Sequence, residues 1–181
     1  MHPRIPSAAL ALVTAASLTA CQAPPTPPAS TSPPASTSTP ASTTKSKEEL
    51  FAEASSIYRK MRDQMKKIET EGGTDELPSE LKQYITGELE KDIAGILSDW
   101  KKRGIRLTKS QMTGWVHPYE KTLDGSMVAI AACEDGTKSQ FQDRDGNTLY
   151  GSTVAMNYVY FKYSDGQLKG FKADTEKVVK C

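Results

Sequence analysis

Three thiols hold most of the covalent chemistry open to this chain: Cys21, Cys133 and Cys181. Cys21 ends the tetrad Leu18-Thr19-Ala20-Cys21, which closes an apolar run that begins just after Arg4. Small residues before a cysteine, with a polar Pro-rich segment directly after it, read as a signal segment with a small-residue cleavage site. Cleavage makes Cys21 the first residue of the mature chain, with its sulfur as the point of lipid attachment. The run from Ile5 to Ala20 contains Pro6 and much Ala, Ser and Thr. It is shorter than the about 20 apolar residues that span a bilayer, so a transmembrane anchor is the weaker reading. Ordinary cleaved secretion and a cytoplasmic chain, in which Cys21 would be unremarkable, compete with the lipoprotein signal. Beyond the signal, Cys133 and Cys181 face an oxidising compartment, where a disulfide is the default expectation. The competing arrangement is a buried free Cys133 and a frayed terminal Cys181.

Other reactive groups are sparse. After residue 20 the only histidine is His117, and no second histidine or cysteine motif supports a zinc site. His117-Pro118 falls at a strand end, where a structural histidine is the simpler reading. Asp143-x-Asp145-Gly146-Asn147 invites a calcium loop. Aligning Gly146 with the EF-hand glycine puts Phe141 and Ser152 at the terminal ligand positions, so a hairpin turn is expected instead. No Gly-rich phosphate loop and no nucleophile elbow is present, and no metal or cofactor is expected. Five aromatic residues are candidates for lining a pocket or a binding surface: Tyr84, Trp100, Trp115, Tyr158 and Tyr160. Each could equally be packed in the core. Proton-transfer chemistry would need a carboxylate and a phenol in an apolar pocket. The strand acids fall mostly at turns, and no carboxylate can be placed inside the sheet.

The chain has 181 residues, with 23 Lys+Arg against 22 Asp+Glu. Arg4 is the only charged side chain before Cys21, so the remainder is formally neutral. A nucleic-acid binder would normally show a basic excess, and none is expected here. Gln22 to Thr44 holds only Pro, Ser, Thr, Ala and one Gln, with the near-repeat Pro27-Pro28-Ala29-Ser30-Thr31-Ser32 and Pro33-Pro34-Ala35-Ser36-Thr37-Ser38. Such a segment buries too little apolar surface to offset its ordering entropy. Drawn out at about 3.1 Å per residue, it is a tether reaching roughly 70 Å. It is either a bare spacer or an O-glycosylated stalk. The organisation expected is therefore a signal segment over 1–20, a lipidated Cys21 with its tether over 21–44, and one folded domain over 45–181.

The domain divides into helices followed by strands. Ser46-x-x-Glu49 reads as a capping box. Phe51, Ala54, Tyr58, Met61, Met65 and Ile68 then recur at helical spacing up to Gly72-Gly73. The charges between them, as in Arg59-Lys60-Met61-Arg62-Asp63, read as a solvated face. A second helical region follows Pro78, bends near Gly87, and carries Leu89, Ile93, Ile96, Leu97 and Trp100 up to a glycine cap at Gly104. From Ile105 four Asp-Gly steps punctuate strand-like runs: Leu107 to His117, Met127 to Cys133, Val154 to Tyr163, and Gln167 onward. Met127 to Cys133 is apolar on both faces and is expected at the centre. The fold class expected is α+β, with N-terminal helices packed on a curved antiparallel β-sheet.

Two helices followed by such a sheet resemble the nuclear-transport-factor-2-like fold shared by ketosteroid isomerase and the SnoaL-like proteins. Three features are similar to small lipoproteins of actinobacteria: Trp100-Lys101-Lys102-Arg103-Gly104-Ile105, Ala131-Ala132-Cys133-Glu134-Asp135-Gly136, and the closing Cys181. The chain departs from that pattern in having Phe171 where the final strand would carry a tryptophan. The resemblance implies a cone-like, cystatin-like roll and a diacyl or triacyl group on Cys21, on the outer face of the cytoplasmic membrane. The function expected is a lipid-anchored binding or interaction module of the cell envelope. Its partners would be the membrane through the anchor, and an envelope protein, a second copy or an apolar small molecule. Two further functions compete with it: a small-molecule enzyme of isomerase or hydrolase type using the cone pocket, and a purely structural envelope lipoprotein. A deep cavity with a buried acid would favour the enzyme, and a filled cone with a large exposed aromatic patch would favour protein association.

Overall fold

A computed structural model describes residues 45–151 and 153–181. The expected signal segment, the expected lipidation at Cys21 and the expected tether fall outside the described residues. Three helices come first: α1 (Lys47–Glu71), α2 (Ser79–Lys82) and α3 (Gly87–Arg103). Seven strands follow: β1 (Arg106–Lys109), β2 (Thr113–Pro118), β3 (Val128–Asp135), β4 (Gln140–Gln142), β5 (Thr148–Tyr150), β6 (Val154–Ser164) and β7 (Gln167–Val178). This is the α+β order that the sequence pattern implies. Among the described residues no helix is long and apolar enough to cross a membrane.

Helix α1 starts where its capping chemistry dictates. The backbone N–H of Glu49 donates to Ser46 Oγ at 3.2 Å, and the Ser46 N–H donates to Glu49 Oε2 at 2.7 Å. Both are amides that the helix itself leaves unpaired. We expect Ser46→Ala to lower the stability of the domain by about 1 kcal/mol in denaturant melts. The helix ends at Gly72, whose φ of 92° is the left-handed conformation that glycine adopts without a Cβ penalty.

The strands form two antiparallel sheets, ordered β2-β3-β6-β7 and β1-β4-β5, and among the described residues neither sheet closes on itself. The run Leu107 to His117, expected as one strand, is split by residues 110–112 into β1 in the small sheet and β2 in the large one. The chain passes between sheets twice more, after Asp135 and after Tyr150, at the same end of the large sheet, because Thr113, Asp135 and Val154 lie side by side in register. The first corner is set by Asp135, whose Oδ1 accepts from the Thr137 N–H at 2.9 Å and from Thr137 Oγ1 at 2.6 Å. Asp135-Gly136 is therefore a sheet-switching turn, not a hairpin. At the other corner a Cβ on Gly151 would lie 2.0 Å from the Gly136 carbonyl oxygen, so only glycine fits. Of the four Asp-Gly steps, Asp165-Gly166 alone makes a two-residue hairpin, with φ of 53° and 74° and Ser164 paired to Gln167.

Helices α1 and α3 pack on one face of the large sheet. Ala54, Tyr58, Met61, Met65 and Ile68 of α1 and Leu89, Ile93 and Leu97 of α3 meet Ile130 and Ala132 of β3, Val159 and Phe161 of β6, and Leu168 of β7. Strand β3 lies in the sheet's interior, and its Ala129–Cys133 segment is buried throughout. Three residues of the expected stripes are not in that core, and one of them, Trp100, is only partly buried at the end of α3. Phe51 is only partly buried, and Ile96 is half exposed on the outer side of α3.

Candidate functional site

Where the chain leaves the large sheet for the small one, the helices, the large sheet and the small sheet bound a cavity of about 580 Å³. Its apolar wall comes from Trp100 at the end of α3, Leu107 of β1, Met112 of the sheet-switching segment, Val116 of β2 and Phe141 of β4. The indole of Trp100 meets the ring of Phe141 edge-on, with centroids 5.4 Å apart and planes at 88°. Exposed Arg59, Asp63, Lys66 and Met112 stand around the opening.

The polar end of the cavity is a connected cluster on α1 and β3. Glu134 Oε1 accepts from the Tyr58 hydroxyl at 2.8 Å and from Arg62 Nε at 2.8 Å. Arg62 Nη1 lies 3.6 Å from Glu69 Oε1, an ion pair too long for a hydrogen bond. The remaining guanidinium nitrogens donate to thioether sulfurs, Nη1 to Met65 at 3.4 Å and Nη2 to Met112 at 3.5 Å. These side chains meet because Tyr58, Arg62, Met65 and Glu69 recur every three or four residues on one helix face. Glu134 meets them because it alternates in step with Ile130 and Ala132 on the sheet face toward the helices.

Burial and mutual charge set the protonation of the cluster. Burial, and then the Glu134 charge, push the Tyr58 phenol far above its ordinary range, so Tyr58 is a neutral donor. Burial opposes charge on Arg62, but the carboxylates of Glu134 and Glu69 outweigh it and hold the guanidinium protonated. Burial raises the Glu69 carboxyl above the usual range, and the charge of Arg62 offsets this only in part. One guanidinium thus stands between two carboxyl groups, and the cluster carries one negative charge in excess when both are ionised.

The structure divides the sequence candidates among three places. Trp100 lines the cavity. Trp115 borders it through its strand, but its ring packs at a tilt of 57° against His117, with centroids 4.6 Å apart, on the face away from Val116 and the helices. Tyr158 and Tyr160 lie on that same outer face, with Tyr119 over them at centroid distances of 4.5 and 6.4 Å. Their hydroxyls donate to Glu176 at 2.6 Å and to Asp174 at 3.3 Å, and the bond to Glu176 pushes the Tyr158 phenol up to about 12. Neither is a pocket phenol. Tyr84 packs near α1 and the β6–β7 turn, away from the cavity.

The sulfurs of Cys133 and Cys181 are 2.09 Å apart, at disulfide distance, which ties the C-terminus to the outer face of β3. Among the described residues no group of three or more His, Cys, Asp or Glu side chains is placed to hold a metal. The Asp143 carboxylate accepts from the N–H groups of Asp145 and Asn147 and from Asn147 Nδ2, so the loop's own donors occupy it.

Four cavity residues escape a reading of the sequence alone. Tyr58 passes for a core residue, Arg62 for part of a solvated face, and Glu69 does not stand out. Glu134 appears only within a motif, and acids on the strands are expected mostly at turns. A signal is present in each case, since Arg62 and Glu69 fall on the apolar stripe of α1 and Glu134 has inward parity on β3. No protein-family model matches the chain, and a search of curated proteins returns no match.

Proposed function

We propose that the domain is a lipid-anchored binding module, held outside the cytoplasmic membrane by Cys21 and its tether, that takes a small molecule with an apolar body into the cavity between α1 and the two sheets. The observation that carries this reading is the cavity itself. Its volume of about 580 Å³ falls within the roughly 300–1,000 Å³ of small-molecule sites, and an apolar wall with a few convergent polar groups is the usual composition of such sites. The cone of the nuclear-transport-factor-2-like proteins remains the proposed relationship, supported by the helices-then-strands order.

A second reading, a proton-transfer enzyme, draws on the acids and the phenol in the same cavity. Tyr58 and Arg62 both donate to Glu134 Oε1, so Glu134 is held as the counter-ion of the guanidinium; Glu69 is the carboxyl there with a raised pKa, 3.6 Å from the guanidinium. With Glu134 tied to the guanidinium and the Tyr58 hydroxyl donated to it, Glu69 is the one acid free to exchange a proton, and a single such group supports binding better than catalysis.

The test uses N-phenyl-1-naphthylamine, a neutral apolar fluorophore, titrated into the intact protein. We expect its emission to rise on binding, with energy transfer from tryptophan. Met112→Trp, a rim substitution at a residue 41% exposed, should block the mouth and weaken binding about tenfold or more, since the site's affinity comes from enclosed apolar contact. Tyr158→Ala, on the outer face, should leave binding unchanged. Loss of binding in Tyr158→Ala with retention in Met112→Trp would move the site to the outer aromatic face and defeat the cavity reading.

A further inference from the structure

We infer that the cavity selects an organic cation, a protonated amine on an apolar body, seated against Glu69 and Glu134 with its body along Trp100 and Phe141. This deepens the proposed function and rests on it.

The first argument is the charge count inside. Arg62 neutralises one carboxylate, and Glu134 takes it at 2.8 Å. Glu69 is only 8% exposed and has its nearest cationic nitrogen 3.6 Å away. Its oxygens are not among the enclosed unsatisfied atoms, so they face the cavity with reduced hydration and only a long ion pair, an arrangement that favours an incoming donor. An ammonium group supplies both the missing charge and the missing donors.

The second argument concerns the open lone pairs. Both donors to Glu134, from Tyr58 and Arg62, converge on Oε1. Among the described residues Oε2 has no hydrogen-bond partner, and it is not among the fully enclosed unsatisfied atoms, a class that contains only Ser55 Oγ. It is an acceptor open toward the cavity, so the site offers acceptors to an incoming group.

The third argument weighs against an anion. The outer nitrogens of Arg62 are covered by the sulfurs of Met65 and Met112. An anion would have to displace a thioether and then sit beside two carboxylates. At the mouth, Arg59 and Lys66 oppose Asp63, but all three are exposed. Solvent and salt screen such charges, so the enclosed carboxylates decide selectivity. The indole of Trp100 adds a ring face of the kind that attracts cations.

Three near-isosteric probes test the inference: benzylammonium, benzyl alcohol and benzoate, each titrated into the intact protein while the Trp100 indole N–H resonance is followed. We expect benzylammonium to bind about tenfold tighter than benzyl alcohol, and benzoate to bind weakest. Glu69→Gln removes the excess charge and keeps the shape. It should fold, melt no lower than the parent, and bind benzylammonium no better than benzyl alcohol. Equal binding of amine and alcohol by the parent, or a preference for the amine that survives Glu69→Gln, overturns the cation inference while leaving the cavity as a binding site. Benzoate binding as well as the amine does the same. If no probe moves the Trp100 resonance, the cavity reading falls with it.

Discussion

Replacing Arg62 with Met is expected to cost the domain about 3 kcal/mol at neutral pH, the low end of the penalty for removing one partner of a buried ion pair, since the Arg62 and Glu134 side chains remain 21% and 18% exposed. Met roughly preserves the apolar stem that lies along α1, so the loss is one of charge and hydrogen bonding. Glu134 loses one of its two donors, and Glu69 loses its ion-pair partner, keeping only the weaker influence of exposed Lys66. The deficit should depend on pH in a set direction. Burial raises the Glu69 carboxyl in the folded chain, so the native state holds that proton more tightly than the unfolded chain does. Its ionisation therefore lowers stability as pH rises from the ordinary carboxylate range through the raised native value, and costs nothing below that range. Removing Arg62 removes the charge that offsets burial, which raises Glu69 further and widens that window. Denaturant melts of parent and Arg62→Met at pH 5 and pH 8 should show the larger gap at pH 8. The triple variant Arg62→Met, Glu69→Gln, Glu134→Gln should recover most of the loss, since no uncompensated charge remains. A gap under about 1 kcal/mol at pH 8, or one that does not change with pH, would show that the cluster is solvated and that its charges are not coupled as their geometry implies.

The same cluster shows how far the sequence can be read. The start of α1 is legible because a capping box is a local device, with all of its parts within four residues. The core stripe of α1 and the central position of β3 are legible because apolar periodicity and a two-faced apolar run reflect burial directly. The division into two sheets is not. Nothing in Leu107 to His117 announces a break, because the break is imposed by tertiary contacts: the Gln111 N–H donates to Ser139 Oγ at 3.2 Å and the Gly151 N–H to the Ser139 carbonyl at 2.9 Å. Both bonds join segments far apart in the chain. Asp-Gly steps announce turns correctly but not which turns, since Asp135 and Asp143 use their carboxylates on local N–H groups to make wider loops. The cavity is hidden for a related reason. Charged residues on a mixed helix are exposed more often than buried, and the partner that draws Arg62 inward, Glu134, arrives from a strand 72 residues farther along the chain. The aromatic candidates divide, Trp100 to the cavity and Tyr158 and Tyr160 to the outer face, because the sequence does not say which face each one takes. Strand parity separates Tyr158 and Tyr160 from the helices, but parity becomes usable only once Val159 and Phe161 are known to face inward.

Breaking the Cys133–Cys181 link is expected to cost about 4 kcal/mol, the loop-closure entropy for the 48 residues it encloses. That is a large fraction of the roughly 5–15 kcal/mol that holds a domain folded. The ladder between β6 and β7 ends at Val178 paired with Val154, and Val179 is 96% exposed. The tail therefore adds little packing of its own, and the covalent link acts mainly by restricting the unfolded chain. Three variants separate these contributions. Cys181→Ser and a chain truncated after Val178 should lose equal stability, and the reduced parent should match them. Cys133→Ser should lose more, by about 1–2 kcal/mol, because Cys133 is 1% exposed and a serine hydroxyl there has no water to bond to. If Cys181→Ser loses under about 1 kcal/mol, the unfolded chain is already compact around residue 133 and loop entropy is not the source of the stability. The cavity gives an independent readout. Glu134 follows Cys133 on β3 but points to the opposite face, where Tyr58 and Arg62 hold it from α1. Below the melting temperature, reduction should leave affinity for the naphthylamine probe unchanged while the melting point falls. A fall in affinity that tracks the loss of stability would mean that the outer-face link also organises the inner-face cluster, through a strand whose two faces then cannot be treated as independent.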